Sequence, residues 1–326
     1  MSSSVIWAES PLQLLSAVEA HRAGLCGPCT EARLRAGAPS LETTAAEIER
    51  LGVPAGLRMA GSAPRPVRPA EDGVWVIGDA FSGAVQRGLV APGRCRLVIV
   101  DDGLATIHLL ELLTTSRPKA LVRARARPGP ARRALGLAAW GRLRAAASAG
   151  RLTVCTALPI SAELRDAVRG LGAAVHVHDF PWLRGRPAAE APPQRLVVLG
   201  SSLVRNGLVH RDRYLAWVRS LAAAEPLQYR PHRRESPDVL DELRADPRIS
   251  VVETGVPVEI SLRGLTAEHR VVSLPSTALT SLRLMLRSTG TRIEGVPVPP
   301  DWWTDAADPG LRDHLSLFLD GLEIAT

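Results

Sequence analysis

Lysine is almost missing from this chain. Lys119 is the only one among 40 basic residues, so arginine carries nearly all of the positive charge. Together with the abundant alanine and proline this matches a GC-rich coding bias, so the isoelectric point near 10.1 is no argument for nucleic acid, and no such partner is expected. Cysteine is scarce as well: four in 326 residues cannot frame a disulfide-stapled fold. Cys26 and Cys29 in "LCGPCT" have the spacing of a thiol oxidoreductase, but a helix ending near Gly24 precedes them instead of a strand, and no second pair of ligands accompanies them for zinc. No apolar run approaches the roughly 20 residues that span a bilayer. The opening "MSSSVIWAES" has neither a basic stretch nor a long apolar one, so a cytoplasmic protein is expected.

Acidic residues are absent between Glu111 and Glu163. Arg117, Lys119, Arg123, Arg125, Arg127, Arg132, Arg133, Arg142, Arg144 and Arg151 fall in that gap, which leaves the remainder of a chain of net charge +7 mildly acidic. Such a segment, 117–151, suits peripheral contact with the inner face of the plasma membrane or with an anionic polymer. Its competing reading is a solvated loop and helix, because residues 131–147 do not separate into apolar and basic faces.

What is present is a core. With 46% hydrophobic residues and a mean hydropathy near zero, the chain is long enough for two soluble globular domains. Short Val/Ile/Leu-rich segments alternate with amphipathic ones, the pattern of parallel strands with helical crossovers. "VIWA", "VWVIGD", "CRLVIVDDG", "LTVCTA" and "AAVHVHD" are the strands expected in the first half. Ser10 and Pro11 mark the start of a helix over "PLQLLSAVEAHR". The proline-rich stretch "FPWLRGRPAAEAPPQ" reads as a linker. "RLVVLG", "LQYR", "ISVVET" and "RVVSL" follow as strands, with helices near His210–Ala224 and Thr277–Leu286. The expectation is an α/β chain of two doubly wound, Rossmann-like domains facing a cleft: residues 1–180, a linker 181–194 and residues 195–326, the last helix being a candidate to pack back on the first domain.

Polar residues collect at the expected strand ends. "VIVDDGLAT" delivers Asp101, Asp102 and Gly103, an arrangement suited to a general base, a magnesium site or a helix cap. "LGSSLVRNG" places Gly200, Ser201 and Ser202 in a turn of the kind that holds phosphate. "VVSLPSTALTSL" puts Ser276 and Thr277 at a helix N-terminus, where an anion or ordinary capping accounts for them. In "LQYRPHRRES" three arginines crowd Pro231 and His232. They push the imidazole away from protonation unless an anion sits among them.

The stretches "ESPLQLLSAVEA", "DDG" (101–103), "PHRRE" (231–235) and "SLPSTAL" (273–279), in this order, resemble the bacterial sialyltransferases, most closely the α-2,8-polysialyltransferase and lipooligosaccharide sialyltransferase group. The resemblance implies a GT-B fold and a role in cell-surface polysaccharide biosynthesis. It also implies inverting transfer of sialic acid or a related nonulosonic acid from a CMP-activated donor to a glycan hydroxyl, with no metal and no cofactor. Carried over, it makes Asp102 the base with Asp101 supporting it, His232 the acid at the CMP phosphate, and Ser276 and Thr277 the phosphate ligands. Glu259 would lie near the cytidine, with Gly200, Ser201, Ser202, Pro231 and Arg234 also on the donor side and Ser10, Gln13 and Gly103 on the acceptor side. The proline that commonly follows the family's histidine is replaced by Arg233, and Pro231 precedes it. Other readings are a transferase for another CMP-linked acid such as Kdo or Kdn, a non-catalytic protein that binds anionic glycans or membrane surfaces, and a thiol oxidoreductase resting on Cys26 and Cys29 alone.

Overall fold

Apolar runs such as Val74–Ile77 and Leu196–Leu199 become strands buried along their whole length, as expected where helices cover both faces of a parallel sheet. A computed structural model describes residues 4–123 and 126–319. Arg125 of the basic segment and the last seven residues lie outside them. The chain divides into two compact units, one running to Pro187 and including Gly255–Pro257, the other made of Ala188–Thr254 and the residues from Val258 on.

In chain order the first unit contains β1 (Ser4–Ala8), α1 (Pro11–Arg22), β2 (Thr30–Arg35), α2 (Pro39–Leu51), β3 (Leu57–Ala63), β4 (Val74–Ile77), α3 (Gly83–Val90), β5 (Arg96–Val100), α4 (Leu104–Thr114), α5 (Pro130–Ser148), β6 (Leu152–Thr156), α6 (Ala162–Gly170), β7 (Ala174–Val177) and α7 (Pro181–Arg184). Its seven strands are parallel, in the order β3-β2-β1-β4-β5-β6-β7. The strand order reverses direction between β1 and β4. Side chains from both, including Trp7, Trp75 and Ile77, join the core with residues of α3, α4 and α5.

The second unit contains β8 (Leu196–Leu199), α8 (Arg211–Ala224), β9 (Leu227–Arg230), α9 (Pro237–Arg244), β10 (Ile249–Val251), α10 (Val258–Ser261), β11 (Arg270–Ser273), α11 (Thr277–Met285), β12 (Arg292–Gly295) and α12 (Pro309–Ser316). Its parallel sheet runs β10-β9-β8-β11-β12, with the reversal between β8 and β11. Right-handed crossovers put helices that step one way along a sheet on one face and those that step back on the other. Accordingly the Tyr214 hydroxyl of α8 meets that of Tyr229 on β9, while Ser281 of α11 hydrogen-bonds Glu259 of α10.

Several expectations need correction. β2, β3 and β12 were not anticipated, because "TEARLR", "LRMAGSA" and "RIEG" are only partly buried and lack a continuous apolar run. The linker does not begin at residue 181: Pro181–Arg184 is helical, Trp182 and Leu183 are buried, and both of their backbone N–H groups donate to the Glu19 carboxylate at 2.9 Å. Just beyond the last described helix, α12, the backbone oxygens of Phe318 and Leu319 accept from Arg283 of the same unit, and residues 320–326, where the chain ends, lie outside the described residues.

The basic segment is also less free than its charge suggests. Arg132 donates to Phe81 O, Arg142 to Leu89 O and Gly93 O, Arg144 to Leu113 O and Arg151 to Arg94 O, while Arg123 pairs with Asp79. These five side chains fasten α5 and its flanks to the first unit. Among the described residues no helix is long and apolar enough to cross a membrane.

Candidate active site

Ligands of open α/β sheets collect beyond the carboxyl ends of the strands, where the strand order reverses. In the first unit that position is occupied by Glu9 and Ser10 after β1 and by Gly78 and Asp79 after β4. Ser10 caps α1, its Oγ accepting from Gln13 N at 3.4 Å, and the same hydroxyl donates to Asp102 Oδ1 at 3.2 Å. Asp102 is half-buried, and its backbone N–H donates to Thr106 Oγ1 at 2.9 Å. Gly103, at φ 66°, makes the left-handed turn that starts α4 directly after it. Asp102 is thus a carboxylate with a hydroxyl on one oxygen, held at a strand end.

Asp101 is differently placed. It is buried, with Oδ1 accepting from the Thr156 hydroxyl and Oδ2 from Ala157 N, both at 2.6 Å. It ties the end of β5 to the end of β6. Among the described residues no cluster of three or more His, Cys, Asp or Glu is arranged for a metal ion. Gln13 is buried as well. Its Oε1 accepts from Glu9 N at 2.8 Å, and its side chain lies over Gly78, where a Cβ would stand 2.2 Å from Gln13 Cγ.

Two acidic residues that the sequence reading passed over adjoin this place. Asp79 is buried, accepts from Phe81 N at 2.9 Å and pairs with Arg123. Burial, and then the negative charge of Asp102, push its pKa up to about 6 against the pull of Arg123. Glu9 accepts from Trp7 Nε1 at 3.1 Å and from Ser82 Oγ at 3.0 Å. Glu9, Asp79, Ser82, Arg35, Arg123 and Arg132 line an open cavity of about 290 Å³. The only signal for Asp79 was its position at the end of "VWVIGD", a strand end like that of Asp102.

In the second unit the reversal lies between Gly200–Ser201 and the residues after β11. Gly200 N donates to Arg230 O at 2.8 Å. A Cβ on Gly200 would stand 2.0 Å from Glu235 Oε2, 2.6 Å from His232 N and 3.0 Å from the Tyr229 hydroxyl, so only glycine fits. Glu235, also unanticipated, organises this corner. Its Oε1 accepts from the Tyr229 hydroxyl at 2.6 Å and its Oε2 from His232 N at 2.9 Å, and the Ser201 backbone holds it too. Burial nevertheless raises its pKa to about 7. Tyr214 extends the chain with a 2.7 Å contact to Tyr229, and these are the only two tyrosines in the protein.

His232 sits on this platform, half-buried. Its Nδ1 accepts from Arg234 N at 3.1 Å, which places the proton of the neutral ring on Nε2. Burial first, then Arg233 and Arg234, lower its pKa to about 4. The crowding arginines therefore act as the sequence suggested, but desolvation is the larger cause. The resting imidazole is a neutral donor and not a cationic acid. The Glu235 and Arg234 contacts hold the loop, with Pro231 half-buried ahead of it. Arg234 contributes its backbone N–H to this hold and leaves its guanidinium exposed.

Ser276 caps α11, its Oγ accepting from Ala278 N at 3.2 Å. Thr277 follows, half-buried at the first helical position. Ser201 is buried and its Oγ accepts from Leu203 N at 3.2 Å, while Ser202 remains half-buried in the turn. Glu259 is enclosed, accepts from the Ser281 hydroxyl and has its pKa raised by burial. Cys26 is buried with its thiol pushed up to about 12, the reverse of a stabilised thiolate, and Cys29 is exposed.

No protein-family model matches the sequence, and no curated protein matches it. Among solved structures the chain is similar to an alpha/beta-galactoside alpha-2,3-sialyltransferase from the luminous marine bacterium Photobacterium phosphoreum, with a TM-score of 0.51 and 8% identity over 97% of this chain and 95% of that one. Weaker likenesses are to a UDP-glucosyltransferase from Polygonum tinctorium (TM-score 0.45, 13% identity, 96% and 92% covered) and to TcCGT1 in complex with UDP (0.45, 10%, 98% and 91%), and at those scores they carry no weight. With its two parallel-sheet α/β units, the chain has a fold of the GT-B type.

Proposed function

We propose that this protein is an inverting, metal-independent glycosyltransferase that moves sialic acid, or a related nonulosonic acid, from a CMP-activated donor to a glycan hydroxyl. The observation that carries the reading is the division of polar groups between the strand ends of the two units: a hydroxyl-held carboxylate in the first unit, neutral donors and a helix N-terminus in the second. In this reaction the bond from the anomeric carbon to the phosphate oxygen breaks, and its electron pair leaves with CMP. The acceptor oxygen forms the new bond from the opposite side. Asp102 takes the acceptor's proton, while His232 Nε2–H, Ser276, Thr277 and the amides of α11 meet the charge that grows on the phosphate. The cavity beside Asp79 is the place for the acceptor.

The test is CMP release from a panel of CMP-sugars offered with glycan acceptors, with UDP-sugars in parallel. Release from CMP-sialic acid or a close analogue is expected. Turnover of UDP-sugars alone would overturn the reading.

A further inference from the structure

Arg230 closes β9 only 8% exposed. Its Nε donates to Gln228 Oε1 at 2.7 Å, and its Nη1 is buried with no partner. A buried charge with unmet donors is a standing cost to a fold, and removing such a group often stabilises the protein that carries it. An arginine kept in that condition calls for an anion from outside.

The sheet shows where that anion goes. Tyr229 meets Tyr214 on the α8 face, and side chains alternate along a strand, so Gln228 and Arg230 lie on the opposite face, the one bearing α10 and α11. Arg230 is level with Leu199 of β8, and Leu199 with Ser273 of β11. Three residues later Ser276 caps α11, which is nine residues long. The guanidinium and the N-terminus of α11 therefore share one face at one end of the sheet.

We infer that Arg230 and the first turn of α11 form one anion site that takes the phosphate of a nucleotide, with Arg230 supplying its charge. The inference deepens the reading of the chain as a CMP-sugar transferase and rests on it for the identity of the nucleotide. Among the candidate phosphate contacts of this unit, Arg230 is the buried cation. Neutral His232 offers a hydrogen but no charge, the Ser276 hydroxyl offers a hydrogen after accepting from Ala278 N, and the side chains of Arg233 and Arg234 are exposed. A planar guanidinium also presents paired N–H groups that match two phosphate oxygens.

The test compares wild type with Arg230→Met and Arg230→Lys by thermal shift and calorimetric titration of inorganic phosphate, CMP and cytidine. Wild type should be stabilised by phosphate and CMP. Arg230→Met should melt higher than wild type without ligand, lose the phosphate response, and bind CMP at least tenfold more weakly with cytidine affinity unchanged. Arg230→Lys, should the methionine variant not fold, keeps the charge without the fork and should show a smaller loss for CMP alone. Equal losses for cytidine and CMP, unchanged CMP binding, or a wild type indifferent to phosphate and CMP alike would overturn the inference. A wild type that responds to phosphate through Arg230 but not to CMP would leave the anion site standing and overturn the choice of donor.

Discussion

The hydroxyl of Ser10 donates to the Asp102 carboxylate at 3.2 Å across 92 positions of sequence, while the same oxygen caps the first helix. The helix start and the candidate base are therefore fixed by one atom. Asp102→Asn should lower kcat by about 10² to 10⁴ while leaving CMP affinity intact. Ser10→Ala should cost about 1 kcal/mol of stability as a lost cap and lower kcat by less. Steady-state kinetics beside a denaturation curve separates the two effects.

His232 should leave no inflection near pH 6.5 in kcat/KM, because its pKa in the free protein is about 4. The native state binds fewer protons than the unfolded chain between those values, so the contribution of His232 to stability is lost as pH falls from 6.5 toward 4. His232→Ala should weaken CMP binding by roughly tenfold, the worth of one neutral hydrogen bond. A calorimetric titration of CMP at pH 7.5 measures it.

Gly200→Ala places a methyl group against Glu235 Oε2 and His232 N. About 1 to 3 kcal/mol of destabilisation is expected, the usual effect of overpacking. CMP binding should fall with it, because the loop that carries His232 must move. Urea denaturation and the same titration check both.

Glu235 gives the opposite sign of pH dependence to His232. Its pKa is raised to about 7, so its contribution is full below pH 4.5 and is lost as pH rises through 7. Glu235→Gln removes that dependence and leaves one buried donor facing an NH₂ group, at about 1 to 3 kcal/mol. The deficit of the mutant should be larger at pH 5.5 than at pH 8, read from denaturation curves at the two pH values.

The central strands were legible because they are buried on both sides: "VIWA", "VWVI" and "RLVVL" can be little else. β3 and β12 were not, since edge strands keep polar residues on a solvated side. Asp102, His232 and Ser276 were legible as polar residues at or just beyond the ends of expected strands. Asp79 met the same rule and was passed over, because a single acid after Gly78 looks like any turn. Glu235 and Arg230 could not be read at all as partners of Gly200 and of a ligand: their roles depend on which way neighbouring side chains alternate, and "YRPHRRE" alone does not fix that. Cys26 and Cys29 have a familiar spacing, but Cys26 is buried and its thiol is pushed up to about 12.

The grip of Glu19 on the amides of Trp182 and Leu183 sets where this chain can be shortened. A fragment ended at residue 180, where the apolar alternation stops, would leave a buried carboxylate facing no donors. One ended at residue 187 retains both. The shorter piece should express poorly or precipitate, and the longer one should be the better starting point for any study of the first unit by itself.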